Sequence, residues 1–157
     1  MIRVQAEDFD PGAELDRFTQ GNTKVGGICM FLGLVRDFAQ DTDVHGMTLE
    51  HYPGMTERQL EAIEAEARRR WPLEDALIIH RYGRLESGAR IVMVATASAH
   101  RDAAFQSCHF LMDWLKTKAP FWKIEHTVDG DQWVAAKDSD DASAARWDEV
   151  PNGDSGC

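Results

Sequence analysis

Cysteine is scarce in this chain. There are three among 157 residues, at positions 29, 108 and 157, in no C-x-x-C pair and in odd number. That excludes a disulfide framework or a zinc knuckle as the basis of the fold and makes a reducing cytoplasm the expected compartment. Long apolar runs are missing too: the longest, Val25 to Val35, covers about 11 residues, short of the ~20 that a membrane helix needs. Met1 to Asp8 is mixed and acidic, without the basic-then-apolar order of a secretory signal. There is no G-x-x-x-x-G-K-[ST], no G-x-G-x-x-G and no G-x-S-x-G, and the six histidines lack H-x-x-x-H spacing. Neither a nucleotide-binding loop nor metal catalysis is expected, and no resident cofactor.

Basic residues are also few, 17 against 27 acidic ones, for a net charge of −10. The imbalance is uneven. Residues 129–157 carry 8 acidic and 2 basic side chains, whereas residues 81–123 carry 7 basic and 3 acidic ones. A basic segment within an acidic protein suits a small anionic ligand or an acidic partner surface better than a nucleic acid, which needs a broad basic face. A chain of this length forms one domain that hides roughly 68–70% of its unfolded surface and needs no covalent staple.

Periodicity divides the chain. Ile2 to Ala6 alternates as a strand, and Asp10-Pro11 offers an N-cap and a first-turn proline for a short helix. Val25 to Arg36, with Gly26, Gly27 and Gly33, reads as a long, bent or bulged buried strand, Asp37 to Gly46 as a polar loop, and Met47 to Tyr52 as a further, alternating strand. Thr56 is a candidate cap for a helix carrying Leu60, Ile63, Ala67 and Trp71 and stopped by Pro72. Strands at 76–82 and 90–97 flank a Gly83–Gly88 turn. A second helix from Arg101 to about Lys118 turns Phe105, Cys108, Leu111, Met112 and Leu115 inward, and Pro120 ends it. Strands at 121–128 and 132–136 join through Asp129-Gly130. Strands in runs indicate α+β. Residues 1–137 are expected to form a single domain and 138–157, which lack periodicity, an acidic and largely flexible tail.

Two segments could carry chemistry. Ser98-Ala99-His100-Arg101 lies where a strand passes into a helix N-terminus, a place that favours anions. A cation in that first turn opposes the helix dipole by about 0.3–1 kcal/mol, which points to a bound anion or to a pairing carboxylate such as Asp102. Lys116, Lys118 and Lys123 surround a helix end and a strand start. If Lys116 and Lys123 converge, mutual repulsion prepares one amine as nucleophile or proton carrier; a solvated pair is the alternative. Arg36 offers a third arm for an anion, or a surface ion pair with Asp37 or Asp41.

Leu49-Glu50-His51-Tyr52-Pro53-Gly54-Met55-Thr56, Ser98-Ala99-His100-Arg101 and Met112 to Lys123 (MDWLKTKAPFWK) together resemble the MoaE family, the large, catalytic subunits of molybdopterin synthase. Phe31-x-Gly33-x-Val35-Arg36 and Gly130-Asp131-x-Trp133-Val134 extend the likeness over roughly residues 2–147. The resemblance implies an α+β fold of the α/β-hammerhead type: an antiparallel or mixed sheet with two main helices and a short N-terminal one. It implies a homodimer that becomes a heterotetramer with a small ubiquitin-like sulfur carrier of the MoaD type, ending in a Gly-Gly thiocarboxylate. The implied activity is a sulfurtransferase that moves two sulfurs onto cyclic pyranopterin monophosphate to form the molybdopterin dithiolene. By position, the resemblance makes Lys116 and Lys123 catalytic. It assigns Leu34, Val35, Arg36, His100, Arg101, Ile124, Glu125 and Lys137 to substrate binding. A non-enzymatic adaptor for a ubiquitin-like tail and a Schiff-base lyase would use the same residues.

Overall fold

A computed structural model describes residues 1–36, 44–134 and 138–148. Most of the expected 37–46 loop, Lys137 and the last nine residues lie outside them. The chain runs β1 (Ile2–Gln5), α1 (Pro11–Thr19), β2 (Gly27–Leu34), β3 (Val44–His51), α2 (Met55–Arg70), β4 (Leu73–Arg81), β5 (Gly83–Leu85), β6 (Arg90–Ser98), α3 (Arg101–Thr117), β7 (Phe121–Thr127), β8 (Gly130–Val134) and α4 (Asp138–Ala145). The strands form two four-stranded sheets rather than one, ordered β1-β4-β6-β2 and β5-β3-β7-β8. Among the described residues only the β1–β4 pair is parallel. This is the expected α+β class.

Local chemistry explains the element boundaries. The Asp10 carboxylate accepts from Gly12 N at 2.8 Å and Ala13 N at 3.1 Å, capping α1 ahead of Pro11. Thr56 does not cap α2. The helix begins one residue earlier, where the Glu57 carboxylate accepts from Gly54 N at 2.6 Å. The Thr56 hydroxyl is fully buried, accepting from Tyr52 N and donating to the Pro120 carbonyl. It thereby ties the start of α2 to the start of β7. The long strand is bulged as its glycines suggest, with its register against β6 shifting between Gly33 and Leu34, but it is not buried: it lies at the edge of its sheet and leaves Met30, Phe31 and Leu34 exposed.

The first sheet is covered on both faces. Leu60, Ile63 and Ala67 of α2 and Cys108, Leu111 and Leu115 of α3 close over Ile78, Val92 and Val94. Phe9, with Phe18 of α1, covers Leu77, Ile79, Met93 and Ala95. Apolar residues alternate between these two sides along β4, as a strand buried on both faces requires. Phe105 departs from the reading of α3: it is 60% exposed, and Ala104, Ser107 and Phe110 take the inward positions instead. Buried hydroxyls bond locally, Thr96 to the Ala104 carbonyl at 2.7 Å and Ser107 to the Ala103 carbonyl at 2.6 Å, so α3 packs on β6 without orphaned polar atoms. A third, smaller core of Val35, Met47, Leu49 and Leu85 lies against the second sheet.

Two segments read as irregular are ordered. β5 occupies part of the Gly83–Gly88 turn, pairing Gly83 to Leu85 with Leu49 to Met47. Residues 138–145 form α4 against α3, and Trp147 packs edge-on to Trp71 and Phe110. Residues 138–148 thus carry a helix and a packed indole where the sequence shows no periodicity. Their order comes from Trp147 and α3 rather than from any periodicity of their own. Among the described residues, no helix is long and apolar enough to cross a membrane.

Candidate functional site

At the start of α3, the chain turns through Ala99-His100 directly after β6. His100 occupies the N-cap with extended backbone and no side-chain cap bond. The turn is held from behind: Gly26 N donates to the Ser98 carbonyl at 3.0 Å, and the Ser98 hydroxyl donates to the Pro72 carbonyl at 2.8 Å. Gly26, Ala99, His100, Arg101 and Asp102 line an open cleft of about 420 Å³. Asp102 is engaged by the Gln106 amide at 2.7 Å, and among the described residues Arg101 has no carboxylate partner. The pairing alternative with Asp102 therefore fails. His100 and Arg101 stand exposed beside free helix N–H groups, an arrangement whose charge and donors suit a small anion.

The lysines lie at the opposite end of α3. Lys116 is exposed in its last turn. Its charge bears on His80, a buried ring of β4 stacked on Phe121 with centroids 3.7 Å apart. Phe121, Lys123 and Glu125 share one face of β7 by the two-residue period of a strand. Lys123 Nζ is 2.5 Å from Glu125 Oε1, with both side chains partly exposed. Opposite Lys123 on β3 stands Leu49, which shares the third core with Val35. Val35 is 4% exposed, its N–H and carbonyl bonded to Ala89 and Gly88 at 2.8 Å each. It contributes a seat that holds the exposed Arg36 next to it. Leu34 is half exposed, and Ile124 lies on the other face of β7 from Lys123, opposite Thr48 and Trp133.

The assigned residues therefore fall into two groups. From Arg101 to Lys116 the helix rises about 22 Å, and from Gly27, which abuts Arg101, to Leu34 the strand runs about 23 Å. A single chain does not gather Arg36, His100 and Arg101 into one clamp. Arg36, Lys116, Lys123 and Glu125 lie toward one end of the first sheet and His100 with Arg101 at the other.

The sequence reading passed over the ring column at the lysine end. His51 of β3 lies 4.2 Å from Tyr82 and 6.5 Å from Phe121, which in turn stacks on His80. Burial pushes the His80 imidazole down to about 4, and the charges of Lys116 and His51 act in the same direction. A histidine alone within the apolar run Ala76 to His80 was the available signal.

The chain is thus an α+β protein with an exposed cationic pair at one end of α3 and lysines at the other, charges of the sign that suits an anionic ligand. The family described as MoaE protein matches residues 4–118. The chain is 55% identical over 148 residues to the molybdopterin synthase catalytic subunit of Pseudomonas aeruginosa, covering 94% of this chain and 99% of that one. A solved molybdopterin biosynthesis MoaE protein from Burkholderia ambifaria superposes with TM-score 0.82 at 54% identity, covering 95% of this chain and 98% of that one. A complex of subunits 1 and 2 of the molybdopterin-converting factor from Helicobacter pylori shares the fold, with TM-score 0.71 at 17% identity over 87% of this chain and 90% of that one. The chain belongs to the MoaE family, and its function lies in molybdenum cofactor biosynthesis.

Proposed function

We propose that the chain is a sulfurtransferase, the subunit on which two sulfurs pass from the thiocarboxylated C-terminus of a small ubiquitin-like carrier to cyclic pyranopterin monophosphate, giving the dithiolene of molybdopterin. Each transfer cleaves one acyl carbon–sulfur bond of the carrier, with water supplying the oxygen of the carboxylate left behind, and the new carbon–sulfur bond replaces a carbon–oxygen bond of the pterin side chain, the cyclic phosphate ester opening at one carbon and water leaving from the other. Lys116 orients and activates the carbon under attack. Lys123, paired with Glu125, stabilises developing negative charge and moves protons. The carrier's two-subunit association follows the kind of complex named for the Helicobacter pylori relative. The reaction is placed in the cytoplasm, where thiols and thiocarboxylates stay reduced.

The observation that carries the reading is the disposition of Lys116 and Lys123 about the His80–Phe121 stack, one from a helix end and one from a strand. The distance between Arg101 and Lys116 within one chain supports a homodimer in which the second protomer's His100 and Arg101 complete the phosphate-binding side. Mixing the purified chain with thiocarboxylated carrier and the cyclic pyranopterin, with mass spectrometry of the product, tests the assignment. Lys116→Ala is expected to abolish the dithiolene product while carrier binding stays measurable, and unchanged turnover overturns it. Arg101→Ala is expected chiefly to raise KM for the phosphorylated pterin.

A further inference from the structure

Three polar side chains on the second sheet, none of them given a part in sulfur transfer, form a hydrogen-bonded relay. Thr48 of β3, His126 of β7 and Asp131 of β8 come from three adjacent strands: Ile124 stands opposite both Thr48 and Trp133, and His126 opposite Asp131. The two-residue period of a strand puts all three on the face that carries Ile124, the reverse of the face that carries Lys123 and Glu125. His126 Nδ1 lies 2.6 Å from Asp131 Oδ1, and His126 Nε2 lies 2.7 Å from Thr48 Oγ1. A carboxylate only accepts, so in the neutral ring Nδ1 carries the proton and Nε2 a bare lone pair. The Thr48 hydroxyl then donates to Nε2. Solvent reaches all three, Thr48 and His126 being partly exposed and Asp131 exposed.

A tie between two strands needs only two polar groups. Here the order is carboxylate, imidazole, hydroxyl, with the acid on Nδ1 and the hydroxyl on Nε2, both within hydrogen-bond reach. That order activates a weak oxygen nucleophile, because the acid fixes the tautomer and the ring takes the hydroxyl proton. The surface beside the hydroxyl is apolar. Trp122 and Ile124 precede His126 on the same face, Trp133 stands opposite Ile124, and Tyr52 meets Trp122 edge-on with centroids 5.8 Å apart. Trp122 is 39% and Trp133 65% exposed, and indoles grouped this way mark a surface for an apolar ligand. Glu50, opposite Trp122, and Asp131 add negative charge, which disfavours an anionic substrate. We infer that Thr48 is an acyl-accepting nucleophile toward uncharged esters, with His126 as its general base and Asp131 as the positioning residue for that ring. Thr48 Oγ bonds to the carbonyl carbon, the ester carbon–oxygen bond breaks, and the proton that His126 took from the hydroxyl passes to the leaving oxygen. Water then attacks the acyl-Thr48 carbon, its proton passes through His126 to Thr48 Oγ, and the carboxylic acid leaves. None of this depends on the sulfur-transfer reading.

The full chain incubated with p-nitrophenyl acetate tests the site. Nitrophenolate release is followed by absorbance, and acid-quenched samples are mapped by peptide mass spectrometry, which separates an acetyl group on Thr48 from one on a lysine. The wild-type chain is expected to carry acetyl on Thr48. Thr48→Val, which keeps the branched shape without the hydroxyl, should release nitrophenolate only at the rate set by lysines and solvent. The excess of wild-type release over that rate is expected to fall about a hundred-fold in His126→Gln, the loss typical of a removed general base. Asp131→Asn should also lower it, and Asp131→Glu, which returns a carboxylate, should restore most of the loss. No acetyl on Thr48 in the wild-type chain, or equal release from wild type and Thr48→Val, overturns the proposal. So does acetylation of Thr48 that is undiminished in His126→Gln, since the hydroxyl is then an ordinary exposed one. Asp131→Asn without loss removes Asp131 from the relay. Thermal melting sets aside any unfolded variant, and the wild-type map decides the matter without one.

Discussion

Trp147 Nε1 donates to Asp113 Oδ2 at 2.7 Å, joining the end of the described chain to the middle of α3. Asp113 is 8% exposed, and Arg146 and His109 also approach its carboxylate, at 3.3 and 3.5 Å. The Arg70 guanidinium donates to the Trp147 carbonyl at 2.7 Å and lies over the Phe110 ring. The C-terminal segment therefore seals a boundary between α2 and α3. Truncation after Lys137 is expected to destabilise the fold by about 2–4 kcal/mol, because it strips the indole from Trp71 and Phe110 and leaves a buried carboxylate with two partners fewer, Trp147 and Arg146. Trp147→Phe, which keeps much of the packing and loses the donor, is expected to cost about 1–2 kcal/mol. Urea unfolding of the three proteins measures both. Truncated chain as stable as the full one would show that the segment rests on the surface without supporting it.

The alternation of β1, the apolar runs of β4 and β6 and the helical spacing in α2 and α3 were legible in the sequence because each places apolar residues against the first sheet's cores. α4 was not, since its eight residues are small or acidic and its order derives from Trp147, a tertiary contact. β5 escaped because three residues are too few to show a period. The cationic residues at both ends of α3 were legible as residue types, but their separation was not. Helix rise and strand length set that separation, and only the register of β2 on β6 shows that Gly27 and Arg101 share one end while Leu34 lies at the other. His80 was hidden by its setting, a single polar ring in a run otherwise read as core.

Gly26 offers a direct probe of the anion end. A Cβ there would lie 2.2 Å from the Ala99 carbonyl oxygen, a backbone atom with no freedom to rotate away. Gly26→Ala is expected to push the Ala99-His100 turn outward and to cost about 1–3 kcal/mol in stability. In the assembled reaction it should raise KM for the phosphorylated pterin more than it lowers kcat, in parallel with Arg101→Ala. A Gly26→Ala chain with wild-type KM would remove this turn from phosphate binding.

The buried His80 makes stability depend on pH in a defined direction. In the folded chain the imidazole titrates near 4, against about 6.5 when unfolded. Between those values the unfolded chain binds a proton that the folded chain does not, so stability falls as pH drops through that window, by roughly 3 kcal/mol in total. Above pH 6.5 the group makes no difference. Asp8, Glu14 and Glu66, held low by hydrogen bonds from Arg90, Arg3 and Arg69, add losses in the same direction at lower pH. Denaturant unfolding at pH 7 and pH 5 is expected to show a drop in the wild-type chain that shrinks in His80→Gln. Equal drops in both proteins would place the titration elsewhere.

The Lys123–Glu125 pair gives the proposed proton handling a direct test. With Nζ and Oε1 2.5 Å apart on one strand face and both partly exposed, solvent screening makes the pair worth little in stability, about 0–1 kcal/mol. Its effect is expected on turnover instead. Lys123→Ala should lower kcat by about a hundred-fold or more, as the loss of a proton-transferring, charge-stabilising group does. Glu125→Gln keeps a hydrogen-bond acceptor but removes the charge, and should cause a smaller loss with a changed pH–rate profile. A large fall in melting temperature for Glu125→Gln with an unaltered profile would instead make the pair a structural tie between β7 and the third core.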